Sequence, residues 1–314
     1  MIERKWEMPG KTLVIELSSA CGANCIMCPI NDFPYKAKYM DNDLFIKCVD
    51  DAYEHGARYI DTCSMGDSLL DPQKESKFKY VKEKYPDMKI YASCTGMSAE
   101  PDFVAKYIDT LHISFYGATP ETYRKVHRGK ADFYKAKENV ESILDRPREE
   151  RPYVVLTYLM LPENELEYEL WKKEWEPIAD EVIVWKPHNW GGIYTSSFFS
   201  KNNFSEARSC GRPFTGGFNV WVNGDVTVCC FSWDERLVIG NMYEQSFEDI
   251  YYGEKRKRIV DVHKKGLFLG CNLPCEKCDQ IFSREDALIY TNNNRVIGQS
   301  IVDEEYVVKF KNNE

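Results

Sequence analysis

The run Leu13-Val14-Ile15, followed by Ser18-Ser19-Ala20-Cys21-Gly22-Ala23-Asn24-Cys25-Ile26-Met27-Cys28-Pro29, decides how the rest of the chain is read. The apolar run reads as a strand, and the thiol-rich segment after it as the loop leaving that strand. Three residues separate Cys21 from Cys25 and two separate Cys25 from Cys28. No fourth thiol or imidazole nearby closes a tetrahedral zinc site of the usual spacing. Three thiolates do suit a 4Fe-4S cluster, whose fourth iron is then left without a protein ligand and open to a small molecule. The other use of such thiols is as small buried hydrophobes.

Outward from this loop the pattern alternates. Leu44, Phe45, Cys48, Val49, Ala52 and Tyr53 recur at helical spacing and predict a helix over 41–55, with Cys48 in the core and Gly56 at the stop. Strands are expected at 57–65, 89–93, 111–116, 154–161 and 182–185, and helices at 72–85 and 100–108. Thr119-Pro120 caps a further helix, with Pro at its first position. Phe133, Ala136, Val140, Ile143 and Leu144 mark another, and Leu166, Leu170 and Trp171 a last one. Six strands alternating with helices over about 190 residues argue for parallel βα units, whereas a closed eight-unit barrel takes about 250 residues. The fold class is therefore α/β, with an open, partial (β/α)6 barrel whose Cys loop sits at the C-terminal end of the first strand, where such folds place their sites.

Cys-x3-Cys-x2-Cys after a first strand resembles the signature of the radical S-adenosylmethionine (SAM) superfamily. The resemblance implies that the open iron chelates the amine and carboxylate of SAM, and that reductive cleavage gives a 5'-deoxyadenosyl radical able to take hydrogen from an unactivated carbon. It places Met27 where a backbone touches the adenine. Ser64-Met65-Gly66-Asp67-Ser68 stands where relatives often carry Gly-Gly-Glu-Pro for the methionyl amine, so Gly66 and Asp67 become cofactor-binding candidates, although only these two match. Ile113-Ser114-Phe115-Tyr116 and His127-Arg128-Gly129 resemble the fourth strand and its following loop, which makes Ser114 and Arg128 candidates for the SAM ribose or carboxylate. Lys186-Pro187-His188-Asn189-Trp190-Gly191-Gly192 reads as a holder for a polar substrate or as a hinge.

Past residue 200 the βα rhythm stops. Phe218 to Val222, Asn223-Gly224 and Val226 to Cys230 read as a β-hairpin with a type I' turn. Cys210, Gly224 and Cys229, then the distant pair Cys275 and Cys278, give Cys-x13-Gly-x4-Cys and Cys-x2-Cys. This resembles the twitch domain, a shortened SPASM domain that holds one auxiliary 4Fe-4S cluster. Gly240-Asn241 and a helix over 247–251 fit that pattern. A structural zinc site is the other use of thiols paired in this way, and Cys230 or Cys271 could replace a neighbouring ligand. The expected layout is a core over 1–200, a small α+β twitch domain over 201–283 and a polar tail over 284–314 with one strand-like run at 306–310.

Composition narrows the partners. The chain has 314 residues, 43% of them hydrophobic, and a formal net charge of -9, so a nucleic-acid backbone is not an expected partner. Lys255-Arg256-Lys257-Arg258 reads as a solvated helix face. No apolar run is long enough to span a bilayer, and twelve cysteines outside an oxidising compartment point to metal or redox chemistry, so a cytoplasmic location is expected. The twitch resemblance extends to the 2-deoxy-scyllo-inosamine dehydrogenases, which oxidise a secondary alcohol of an aminocyclitol. It implies a small-molecule substrate, SAM, two 4Fe-4S clusters and a reducing partner such as flavodoxin or ferredoxin. Oxidation needs a base, a role open to His188 or Lys186. Epimerisation needs a thiol hydrogen donor, for which Cys94, Cys230 and Cys63 are candidates. Modification of a ribosomal peptide is a second expectation, lowered because twenty residues before Cys21 are too few for a folded recognition module. A non-catalytic electron carrier or zinc-stabilised interaction protein is a third.

Overall fold

In the computed structural model, residues 6–32, 38–196, 207–215, 218–282 and 287–293 are described, so the strand expected at 306–310 lies outside the described residues. Six parallel strands come first: β1 (Thr12–Ile15), β2 (Tyr59–Asp61), β3 (Lys89–Cys94), β4 (Thr110–Ser114), β5 (Tyr153–Leu159) and β6 (Glu181–Trp185). Each pairs in register with the next, as in the partial barrel expected. Between them run α1 (Asn42–Glu54), α2 (Lys74–Lys84), α3 (Pro101–Tyr107), α4 (Pro120–His127), α5 (Phe133–Leu144) and α6 (Tyr168–Trp175). Alternate strand residues such as Leu13, Ile15, Ile60, Ile90, Leu111, Ile113, Leu156 and Val184 join Phe45, Phe78, Val104 and Val140 of the helices in one apolar cluster.

Local chemistry sets the helix ends. Asp41 caps α1 by accepting the N–H groups of Asp43 and Leu44, and Thr119 caps α4 by accepting that of Thr122, ahead of Pro120 at the first position. Such caps are worth about 1 kcal/mol each. Of the three residues expected to mark α6, only Trp171 faces the core. Leu166 and Leu170 are 95% and 53% exposed, while Trp171 and Trp175 are the buried side chains. The tryptophans reach the core because they fall four residues apart, on one face.

The sheet continues past the barrel at both edges. β7 (Asn219–Val220) pairs parallel to β1, and β8 (Asp225–Thr227) and β9 (Val238–Asn241) follow antiparallel. At the far edge β10 (Leu288–Thr291) pairs antiparallel to β6, which the polar composition of 284–314 does not announce. The hairpin is as expected, but its turn is not type I', since Gly224 alone is left-handed, with φ +83°, and Asn223 is not. Gly224 N–H donates to Trp221 O, and Trp221 N–H to Asp225 O. This is a three-residue loop closed by a left-handed glycine. After β8 the chain leaves the ladder, which carries Cys229 and Cys230 out of the sheet.

Among the described residues three more helices follow: α7 (Arg212–Thr215), α8 (Phe247–Tyr252) with a Ser246/Asp249 capping box, and α9 (Glu254–Lys265). The basic run on α9 is not wholly solvated. Arg256 is buried, donating to Pro213 O at 2.9 Å, with its guanidinium 3.7 Å from the Tyr251 ring centroid.

Candidate active site

A cavity of about 450 Å³ opens at the C-terminal ends of the strands. Its wall includes Cys21, Cys25, Met27 and Cys28 from the loop after β1, Met65, Gly66 and Asp67 after β2, Cys94 at the end of β3 and Ser114 at the end of β4. Lys186, His188 and Trp190 after β6, Arg212 of α7, Phe231 after β8 and Ala287 before β10 also face it. Its size falls in the range of small-ligand sites, roughly 300–1,000 Å³. Residues expected separately from sequence thus share one wall. Arg128 does not line it; this residue is exposed at the end of α4, with φ +49°.

The Cys loop is fastened from two sides, by the loop after β2 and by the end of α4. Asp67 N–H donates to Ala20 O, Asn24 N–H to His127 O and Ile26 N–H to Val126 O. Gly66 is required by contact, since a Cβ there would lie 2.1 Å from Ser18 O and 2.7 Å from Ser19 backbone atoms. Asp67 is buried with both oxygens engaged, one by Leu69 N–H at 3.0 Å and one by the Ser98 hydroxyl at 2.6 Å. Burial raises its carboxyl to about 6 even so. Ser114 accepts the Tyr116 hydroxyl at 2.9 Å.

Burial pushes the Cys21 thiol up to about 12 and that of Cys28 to about 11, and it raises Cys25 well above the usual thiol range, helped by the neighbouring thiolates. Three thiolates side by side here need a cation to hold them, which an iron-sulfur cluster supplies. Cys94 is also raised, chiefly by burial, and so keeps its S–H.

The second thiol group surrounds a smaller cavity lined by Cys210, Cys229, Cys275 and Cys278, together with Arg212, Phe231 and His263. Cys230 and Cys271 line neither cavity. Cys230 instead lies beside Cys229 and Arg212, whose hydrogen bonds and charge hold its thiol below the usual range while Cys229 is raised. Among the described residues no three His, Cys, Asp or Glu close on one point as ligands of a single ion do.

Arg212 and Phe231 belong to both walls. The Phe231 ring has His188 stacked on it, with centroids 3.7 Å apart, and the Arg212 guanidinium over it at 4.5 Å. The loop expected to be either hinge or substrate holder divides the work. His188 and Trp190 face the large cavity, while Gly191 and Gly192, both at positive φ, let the backbone approach Pro274 and Lys277 of the second Cys turn. Sequence reasoning missed Arg212, Phe231 and His127. The last is buried with Nδ1 3.2 Å from Cys25 Sγ, and burial pushes its imidazole down to about 3, so it stays neutral. Its signal was the i, i+4 pairing with Tyr123 on the inner face of α4.

Comparison with known proteins agrees with this geometry. Residues 15–171 match the radical SAM superfamily, and residues 210–279 match the SPASM iron-sulfur cluster-binding domain. No curated protein sequence matches the chain. The structure of BtrN in complex with AdoMet and 2-DOIA superposes with a TM-score of 0.57 at 17% identity, covering 90% of this chain and 100% of that one. Streptococcus suis SuiB bound to precursor peptide SuiA gives 0.63 at 13%, over 88% and 70%. The anSMEcpe structure with bound AdoMet and Cp18Cys peptide gives 0.53 at 14%, over 88% and 92%. At such identities the likeness is one of fold. With the Cys loop at the strand mouth and half of its length matched, the chain belongs to the radical SAM superfamily, enzymes that use S-adenosylmethionine, a 4Fe-4S cluster and a reductant, and it carries a second iron-sulfur cluster-binding domain of the SPASM type.

Proposed function

We propose that this protein is a radical SAM oxidoreductase that oxidises an alcohol of a small hydroxylated substrate, such as a sugar, aminocyclitol or nucleotide derivative. Cys21, Cys25 and Cys28 hold the SAM-binding cluster, and Cys210, Cys229, Cys275 and Cys278 an auxiliary one. The observation that carries the reading is the shared wall: a single cavity of small-ligand size has the Cys triplet on one side and Arg212 and Phe231, which also line the second thiol group, on another. Bound there, SAM and its cluster would supply the radical chemistry for hydrogen abstraction, and the auxiliary cluster would supply an electron acceptor.

The chain's own residues do the rest. Met27, Gly66, Asp67 and Ser114 line the SAM side, and Arg128, outside the cavity, is the weakest member of that set. His188 presents an imidazole to the cavity as a base for the hydroxyl proton; its Nδ1 lone pair accepts the Trp190 N–H at 3.4 Å, and that bond must break before the ring takes a proton. Lys186 stands beside it as the alternative base. The reductant is a low-potential carrier such as flavodoxin or ferredoxin, and seven cysteines assigned as ligands favour a reducing, cytoplasmic setting.

Anaerobically reconstituted protein, incubated with SAM, dithionite and a panel of alcohols and candidate peptides, tests the reading. A ketone product together with 5'-deoxyadenosine above background on a small alcohol is expected. Turnover of peptides alone would replace it with a peptide-modifying function, and absence of SAM cleavage on every substrate would leave an electron carrier.

A further inference from the structure

His127 ends α4 fully buried, and its two ring nitrogens have different partners. Nε2 accepts the backbone N–H of Tyr116 at 3.2 Å, and Nδ1 lies 3.2 Å from Cys25 Sγ. A neutral imidazole has one N–H and one lone pair, so a ring that accepts at Nε2 carries its proton on Nδ1, facing the sulfur. The ring is held in place. Tyr116 lies parallel to it, with centroids 5.0 Å apart and planes 9° apart, and Tyr123 packs at 4.3 Å. Backbone bonds from Asn24 to His127 O at 2.8 Å and from Ile26 to Val126 O at 3.0 Å tie the end of α4 to the Cys loop itself.

The second thiol group repeats the arrangement. His263 on α9 is buried, with Nε2 3.4 Å from Cys275 Sγ and Nδ1 2.9 Å from Ser209 Oγ. Ser209 Oγ accepts the Gly211 N–H at 3.1 Å. A hydroxyl has one hydrogen to give, and giving it to Nδ1 leaves the imidazole proton on Nε2, toward Cys275. A thiolate ligand, which can only accept, selects that tautomer.

We infer that His127 and His263 are positioning residues, each donating one N–H to a cluster thiolate, Cys25 and Cys275 respectively, and each raising the reduction potential of its own cluster. The inference rests on the ligand assignment proposed above. A hydrogen bond to a ligand sulfur draws charge from it and so favours the reduced cluster. Both imidazoles are buried, and a hydrogen bond from a buried donor is stronger than one made in water.

The test compares wild type, His127→Phe, His263→Phe and His127→Gln after anaerobic reconstitution. Iron is counted and both potentials are read by redox titration followed by electron paramagnetic resonance, with the SAM-binding cluster identified by its response to SAM. Roughly eight irons are expected in each protein. His127→Phe should move only the SAM-binding cluster to a more negative potential, His263→Phe only the auxiliary one, and His127→Gln should recover part of the first shift. Wild type labelled with 15N-histidine should show a nitrogen hyperfine coupling in the reduced SAM-binding cluster. Full iron content with unchanged potentials overturns the inference. If the Phe variants fail to fold, the wild-type measurement decides, and absence of the coupling overturns it. Retention of all iron after Cys21, Cys25 and Cys28 are changed to Ala is a separate result that defeats the ligand assignment.

Discussion

Asn189 and Asp279 hold each other reciprocally: the Asn189 backbone N–H donates to Asp279 Oδ2 at 3.1 Å, and the Asp279 backbone N–H donates to Asn189 Oδ1 at 3.0 Å. Asn189 also donates its side-chain amide to Lys277 O at 2.7 Å. One asparagine in the loop after β6 therefore fixes the turn that carries Cys275 and Cys278. Asn189→Ala leaves buried backbone groups of that turn unpaired, at about 1–3 kcal/mol each. The expected outcome is faster loss of auxiliary iron to a chelator, with the SAM-binding cluster signal retained.

Gly66→Ala places a methyl group against Ser18 O and Ser19. Neither neighbour is a flexible side-chain end, so the loop after β2 and the Cys loop must move apart, at about 3 kcal/mol. Iron content should fall by roughly half, because only the auxiliary cluster assembles.

Lys77 and Asp71 form an ion pair out of contact with water, at 2.5 Å, and Lys77 also donates to Met40 O. Lys77→Met strands the carboxylate. A loss of about 3–5 kcal/mol in denaturant unfolding is expected, and changing Asp71 to Leu in the same chain should restore most of it.

Glu167 supports the start of α4. Burial opposes its charge, yet the hydroxyls of Thr119 and Thr122 and the N–H groups of Ala118 and Thr119 outweigh this and hold the carboxyl below its usual range. A depressed folded value gives stability that is whole above the unfolded value of about 4.3 and is lost as pH falls through the folded one. Glu167→Gln should thus be less stable than wild type at pH 7, with the gap closing below about pH 4. Denaturant midpoints of the iron-free proteins across that range check it.

Cys94 retains its proton at the cavity wall, as a hydrogen-atom donor must. For an alcohol oxidation it has no such duty, so Cys94→Ala should still form the ketone, with no solvent deuterium at the reacting carbon in deuterium oxide. Deuterium incorporation in wild type that disappears in Cys94→Ala would make the reaction an epimerisation.

Short-range chemistry was the legible part. The α5 bounds, Phe133–Leu144, follow directly from apolar spacing, and the thiol triplet needs only a few consecutive residues to declare itself. What depends on distant partners was hidden. Leu166, Leu170 and Trp171 suggested the buried face of α6, but of these only Trp171 reaches the core, joined there by Trp175. Asn-Gly suggested a two-residue turn, but β8 pairs one residue further along. His127 stood next to the arginine chosen for SAM, and only the fold shows which of the two turns inward. Arg212 comes from the start of α7, Phe231 and His188 from two separate loops, and no spacing rule joins them.

The pairing of β7 with β1, Val14 to Asn219 and Ile15 to Val220, has a consequence for electron transfer. The strand that delivers the first three thiols is the same strand on which the hairpin bearing Cys229 is hung. On the ligand sets proposed above, the separation of the two sulfur sets is therefore tied to main-chain hydrogen bonds rather than to the docking of loosely tethered modules. If electrons pass between those sets, side chains lining the cavity can be exchanged to admit another substrate while the length of the path stays the same.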